Sequence, residues 1–371
     1  MPRLRIRIAV PAAALALSLL AVCGMASWER AAASRPAAQQ PRRYAFIEDQ
    51  IRTTSPAIAL GNLEAQIQQL DQQSQHGALT VGQRAGLAEL LLAHGQYTGS
   101  IADRERALDI AETMARAVPD DPQALLARAR ARSAFHRFAE ALADLDRAAA
   151  LGGSPIALAD QRAAIYQALG RSDEALGMRR SRAERNPNSD TLGALAAIEA
   201  ERGATDEAAR LFDEARWRYR DVSPFPLAFL YFDEGAMWMR HGDLERARAL
   251  FAAALRRVPS YAAARCRLAE VEAALGHRDD AIALLEPLAR SADDPDAAAQ
   301  LARILTDAGR ADEALPWRQV AVRRYDELTA AYPDAYGPHA AELRLDPVGP
   351  QPSAAAQRYA PAPRRLASVS W

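Results

Sequence analysis

The chain has 371 residues, half of them hydrophobic, and its 47 acidic residues almost balance 46 basic ones to give a net charge of −1. All of the basic residues are arginines, and they are interleaved with Asp and Glu. Because this pattern lacks the basic stripe of a nucleic-acid-binding protein, and because two cysteines are too few for a disulfide framework, we exclude both classes.

Residues 1–26 have the composition of a bacterial export signal. Three arginines lie within the first seven residues, and an uncharged run rich in Ala and Leu follows over residues 8–22. This run is short for a membrane span, and small residues near its end suit cleavage. We therefore predict a periplasmic or otherwise exported protein. Two alternatives stay open: residues 1–26 are kept as a membrane anchor, or Cys23 is lipidated.

A linker and a helix separate this segment from the rest of the chain. Residues 27–57 are rich in Ala, Arg, Gln and Pro without a lasting apolar period, which predicts a flexible linker. Within residues 58–82, apolar side chains recur on one face of a helix. We predict that this helix caps the N-terminal end of the structure that follows.

Residues 83–330 contain a repeated pattern with a nearly fixed period. The glycines that mark it are separated by 33, 39, 34 and 33 residues, and an alanine follows each of them by five: Gly170, Gly203, Gly242, Gly276 and Gly309. A period of this length is typical of stacked helical hairpins, because one hairpin cannot bury its apolar face alone. The longer spacing reflects an insertion near residues 220–226, where two prolines interrupt the helical pattern.

One copy of the pattern, residues 231–259, carries a specific resemblance. It has small, aromatic and proline residues at fixed positions: Tyr231, Gly235, Trp238, Gly242, Ala247, Phe251, Ala254 and Pro259. This copy resembles the tetratricopeptide repeat, a helix-turn-helix unit of 34 residues. The resemblance implies an all-α fold in which about seven repeats stack into a right-handed α-solenoid.

Several copies depart from the family pattern. The first hairpin has an enlarged loop over residues 95–102, and His136 replaces the turn glycine of the second. In the copy at 156–187, Arg179 and Arg182 stand where the family prefers apolar or small residues. After the repeats, we predict a C-terminal capping helix over residues 331–345. The Pro- and Ala-rich residues 346–371 are predicted to be disordered.

Motifs that carry enzymatic chemistry are missing from the sequence. It contains no H-E-x-x-H, C-x-x-C, P-loop, dinucleotide-binding glycine motif or G-x-S-x-G. Four of the six histidines fall at or next to hairpin turns, about one repeat apart, which is too far to share a metal ion. We predict a protein that is not an enzyme and has no cofactor and no metal site. Cys266, between two arginines, is either a reactive thiol or, as we favour, a buried small residue.

The candidate site for a partner lies on the first helix of the central repeat. In tetratricopeptide arrays the first helices line a concave groove, so the resemblance implies that Phe229, Phe232, Met239 and Arg240 contact an extended peptide or a partner helix. The alternative is that Phe229 and Phe232 pack against the insertion beside them.

These observations favour a non-enzymatic scaffold that binds a protein or peptide partner in its concave groove outside the cytoplasm. One alternative is a membrane-tethered assembly factor for a cell-envelope complex, held by residues 1–26. An accessory subunit of an envelope enzyme is another.

Overall fold

The computed structural model describes residues 51–77 and 79–345, and these ranges contain sixteen α-helices and no β-strand. The helices are α1 Pro56–His76, α2 Val81–Thr98, α3 Ile101–Ala117, α4 Pro122–Ser133, α5 Phe138–Ala150, α6 Pro155–Ala168, α7 Ser172–Arg185, α8 Ser189–Glu201, α9 Thr205–Trp217, α10 Phe225–His241, α11 Leu244–Arg257, α12 Ala262–Ala274, α13 Arg278–Ser291, α14 Asp296–Asp307, α15 Ala311–Ala331 and α16 Pro333–Leu345. The predicted signal, most of the linker and the predicted tail lie outside the described residues. No helix in the described part of the chain combines the length and the apolar character that a membrane crossing requires.

Helices α2 to α15 form seven hairpins, in which each even-numbered helix packs on the helix that follows it. The predicted α-solenoid is therefore confirmed. The alanines five residues after the turn glycines are all buried: Ala175, Ala208, Ala247, Ala281 and Ala314. Their small side chains let the two helices of a hairpin approach closely.

The hairpin turns need a residue in the left-handed backbone region. Glycine fills this position in six turns, and His136 fills it in the second hairpin with φ of 57°. Among the described residues, His136 is the only non-glycine residue with positive φ. The prediction that His136 takes the place of the turn glycine is thus confirmed, and this turn has the backbone geometry that glycine adopts in the other turns.

The prediction of an enlarged loop in the first hairpin was wrong. Helix α2 continues to Thr98, so the turn consists of Gly99 and Ser100 alone. Gly95 lies inside the helix, where a Cβ atom would come within 2.6 Å of the Ser100 carbonyl oxygen. The glycine that suggested a loop is therefore needed for the close approach of the turn to the helix.

The helix predicted within residues 58–82 is α1, Pro56–His76. It packs on α2, with Leu63 fully buried. The residues before it, predicted as the end of a free linker, are hydrogen-bonded to the middle of the chain. Arg257 Nη1 donates to the Ile51 carbonyl at 2.8 Å, and Thr54 N donates to the Val222 carbonyl at 2.7 Å.

The solenoid closes on itself. Asp293 accepts hydrogen bonds from the backbone N–H groups of Ile101 and Ala102 at 2.6 and 2.8 Å, so it caps the start of α3. The rings of Phe135 and Tyr332 stack with centroids 4.0 Å apart. We call this contact between residues 97–136 and residues 292–343 the closure seam.

The closure seam has an apolar core of its own. One hydrophobic cluster joins buried residues of α3 and the end of α4 to buried residues of α14, α15 and α16. Helix α16, predicted as a solvent-facing cap, therefore packs against the second hairpin.

Candidate functional site

Three of the four predicted groove residues are buried in the core. Phe229, Phe232 and Met239 have only 5%, 1% and 4% of their surface exposed. The Phe232 ring lies 5.7 Å from the Phe251 ring and 5.1 Å from the Tyr261 ring, measured between centroids. The assignment of these three side chains to an accessible groove is therefore corrected, because they fill the space between helices.

The packing of α10 explains this outcome. Thirteen of its 17 residues are buried, and they lie on the aromatic face and on the opposite face of the helix. A helix that is apolar all round is a core helix, so the run FPLAFLYF already carried the signal that no face is free. From the sequence, one face was assigned to the groove and this signal was missed.

Arg240 is the one predicted groove residue with an exposed side chain. Burial lowers the pKa of Arg240, and the nearby carboxylates of Glu201 and Asp233 oppose this shift only in part. Gln167 Nε2 donates to Glu201 at 2.8 Å. The end of α10 thus carries a small charged surface, without the aromatic side chains that were expected beside it.

A cavity lies where the two ends of the array meet. It has a volume of about 140 Å³, and its lining residues come from α2, α3, α4, α6, α12, α13, α14 and α16, together with the turns beside them. By comparison, one water molecule needs roughly 10–15 Å³ by the same kind of measure. The cavity therefore has room for several waters or for one small molecule.

One wall of this cavity is basic. The Arg130 guanidinium pairs with Glu89 through Nη1, whereas its Nε has no hydrogen-bond partner in the described part of the chain. Its side chain is only 10% exposed, and burial lowers the pKa of Arg130 to about 10. Gln96 on α2 lines the same cavity, with its amide beside the buried hydroxyl of Tyr261.

The opposite wall is acidic. The backbone N–H of Asp296, at the start of α14, donates to Asp294 Oδ1 at 3.1 Å. Burial, with the Asp296 charge beside it, raises the pKa of Asp294 to about 7. Arg104 opposes this shift from 3.7 Å away. On α14, the buried Oε1 of Gln300 has no donor within the described ranges.

Cys266 lines the cavity but is not a reactive thiol. It is buried, and burial raises its pKa well above the ordinary value, so the thiol stays protonated. Nucleophilic chemistry needs the thiolate. The favoured interpretation of Cys266 as a buried small residue fits this environment.

A second cluster of polar side chains lies at the α12–α13 turn, where ligand atoms of Glu272, His277 and Asp280 come within 4.8 Å of one another. The Glu272 carboxylate already accepts a hydrogen bond from Arg248 Nε at 2.7 Å and lies 2.7 Å from His277 Nδ1. A cation would have to displace Arg248, so we assign no metal to this turn.

Residues 239–296, from the end of α10 to the start of α14, match the family model of the tetratricopeptide repeat. This family match supports the resemblance proposed from residues 231–259. Comparison with curated protein sequences gives no match. Among solved structures, a thermophilic tetratricopeptide-repeat protein of Thermus thermophilus shares 23% identity over 50% of this chain and 96% of that chain, with a TM-score of 0.39.

Two structures of IFIT1 resemble this fold over a larger share of the chain. A human IFIT1 dimer with PPP-AAAA covers 76% of this chain and 71% of its own, at 15% identity and a TM-score of 0.50. A monomeric IFIT1 mutant with m7Gppp-AAAA covers 76% and 69%, at 15% identity and a TM-score of 0.52. At this identity the likeness supports the helical solenoid and nothing about ligands.

Proposed function

We propose that the protein is a non-enzymatic scaffold that binds a protein or peptide partner outside the cytoplasm. The support comes from the stacked hairpins and the tetratricopeptide match, since arrays of this kind present extended surfaces to other proteins. The export-like composition of residues 1–26 supports the location.

The cavity at the closure seam does not suit such a partner. Its volume of about 140 Å³ is smaller than the ~300–1,000 Å³ pockets that take drug-sized ligands, so an extended peptide does not fit inside it. We therefore place the partner contact on the outer surface or at the ends of helices.

The proposed location of the partner contact rests on an exposed tryptophan. Trp217, at the end of α9, is 59% exposed, and Val222 in the following loop is 53% exposed. The Thr54–Val222 hydrogen bond brings the segment before α1 to this loop, and Ile58 is 58% exposed one turn later. Tryptophan is strongly enriched among the residues that dominate binding energy at interfaces. We assign the partner contact to this edge.

Site-specific photo-cross-linking tests the assignment. A benzophenone amino acid replaces Trp217, and a matched control replaces Leu315, which is 50% exposed on α15. We expect one discrete adduct from position 217 in cells and none from position 315. The same adducts from both positions, or none from either, would refute the assigned edge.

Intact mass of the protein from soluble and membrane fractions tests the location. A soluble chain that begins at Ser27 supports a free exported scaffold. An uncut or diacylated chain in the membrane supports the tethered assembly factor instead. An uncut chain in the cytoplasm would contradict both.

A further inference from the structure

Helix α1 has a small apolar contact with the rest of the array. Only two of its 21 residues, Ala59 and Leu63, are buried, fewer than in any other helix of the described chain. It stands at one end of the helical stack and packs mainly on α2. In a stacked array each unit is stabilised mainly by its neighbours, so α1 can detach while the seven hairpins stay folded.

Polar contacts complete the attachment of α1 to the first hairpin. Arg106 on α3 forms an ion pair with Asp71 of α1, and a hydrogen bond between two glutamine side chains joins α1 to the start of α2. A third contact lies further along α2, where His94 Nε2 is 3.6 Å from Glu64 Oε1 of α1. Of these three contacts, only the one with histidine changes its charge near neutral pH.

His94 lies between carboxylates of two different helices. Its Nδ1 is 2.7 Å from Asp103 Oδ2 of α3, on the side of the ring away from Glu64. The hydrogen bond to Asp103, with the charges of Asp103 and Glu64, raises the pKa of His94 above its ordinary 6.5, although burial opposes this. Arg106, also on α3, favours the ionised form of Asp103. A charged imidazole donates on both sides, whereas a neutral one has a single N–H for the nearer Asp103.

We propose that α1 is a strap whose attachment to the first hairpin depends on proton binding at His94. The charged ring bridges Asp103 and Glu64, and the neutral ring leaves Glu64 without its partner. Because attachment of α1 raises the pKa of His94, acid strengthens the attachment, and the gain is lost as pH rises through that pKa. Since Glu64 is 56% exposed, the detached fraction changes by at most about fivefold.

The strap also reaches the edge to which we assign the partner. Thr54, just before α1, donates to the Val222 carbonyl, and Ile58 is exposed one turn later. Release of α1 therefore removes one side of that edge and weakens partner binding as pH rises. This consequence rests on the proposed function, whereas the release of α1 does not.

The rate at which a buried thiol on α1 reacts with a labelling reagent measures the release. Ala59→Cys, at a position 4% exposed, is introduced into the full-length protein with Cys23→Ser, and the buried Cys266 is the reference for opening elsewhere. Each rate is divided by that of an unstructured peptide thiol at the same pH, because the thiolate fraction itself depends on pH. We expect the corrected rate at Ala59→Cys to be about two to five times higher at pH 8.5 than at pH 5.5.

The two carboxylates of α1 provide a matched pair of variants. Glu64→Gln should abolish the pH dependence of labelling at Ala59→Cys. Asp71→Asn should raise the corrected rate at both pH values and keep their ratio, because Arg106 stays charged throughout. A rate independent of pH in the parent protein, full pH dependence in Glu64→Gln, or equal rates at Ala59→Cys and Cys266 would overturn the proposal. No partner is present, so this outcome is separate from that of the cross-linking experiment.

Discussion

Two buried arginines on second helices, Arg179 on α7 and Arg216 on α9, differ in what surrounds their guanidinium groups. Arg216 forms ion pairs with Glu234 and Asp213. Arg179 is 2% exposed, and its Nε and Nη2 have no partner in the described part of the chain. Burial lowers the pKa of Arg179 to about 10. The departure from the family pattern noticed in the sequence thus has an energetic consequence.

We expect Arg179→Met to stabilise the protein by about 1–3 kcal/mol, because it removes buried donors that are not satisfied. The matched control is Arg216→Met. It should destabilise the protein by about 3–5 kcal/mol, because it leaves two buried carboxylates without their cation. Urea unfolding measures both. A loss of stability in Arg179→Met comparable to that of the control would show that Arg179 has a partner.

Asp294 makes stability depend on pH. Its pKa rises from an ordinary 3.8 to about 7 on folding, so between these values the folded protein binds more protons than the unfolded chain. Stability contributed by this group is therefore full below pH 3.8 and is lost as pH rises through 7.

Asp294→Asn should reduce the decline in the free energy of unfolding between pH 5 and pH 8 by on the order of 2 kcal/mol. The measurement is urea unfolding at several pH values, with Asp279→Asn at a fully exposed position as the control. Identical pH profiles for Asp294→Asn and the wild type would contradict the raised pKa.

At the scale of the helices, α10 and α11 pack closely because a glycine, Gly235, lies at their contact. A Cβ atom at Gly235 would lie 2.9 Å from the ring of Phe251, so the glycine permits the contact. The tetratricopeptide pattern places a small residue here, and the structure gives its physical reason. On α7, a Cβ atom at Gly177 would meet nothing within 4 Å.

Gly235→Ala should therefore destabilise the protein by about 1–3 kcal/mol through overpacking. Gly177→Ala should stabilise it by up to about 1 kcal/mol, since alanine favours a helix over glycine. Opposite shifts in the urea midpoint would support this account of the hairpin. A neutral Gly235→Ala would mean that Phe251 can move aside.

The sequence predicted the hairpins well because their signals are local. Turn glycines, the alanines five residues later and the prolines of the insertion all act within one repeat, and the boundaries of most helices follow from them. The errors arose where a local signal has two meanings. Gly95 suggested a loop, although it packs inside a helix, and the aromatic residues of α10 suggested a groove, although they fill the core.

At the scale of the whole molecule, the contact between the two ends of the array could not be predicted from the repeat pattern. Asp293 and Ile101 are 192 positions apart in the sequence. Their contact depends on the small rotation between successive hairpins, which accumulates over the array and leaves no period in the sequence. The candidate cavity was missed for the same reason, because its two walls belong to opposite ends of the chain.

The central claim is that the two ends of the array are in contact at the closure seam. A measured distance between the two ends tests this claim most directly. Spin labels at Ala102→Cys and Ser291→Cys, with Cys23→Ser and Cys266→Ala, report across the seam. In an open array, five hairpins of about 10 Å each would separate these positions by roughly 50 Å. We predict a single narrow distribution well below that distance. A broad distribution centred near the open-array value would contradict the closed structure.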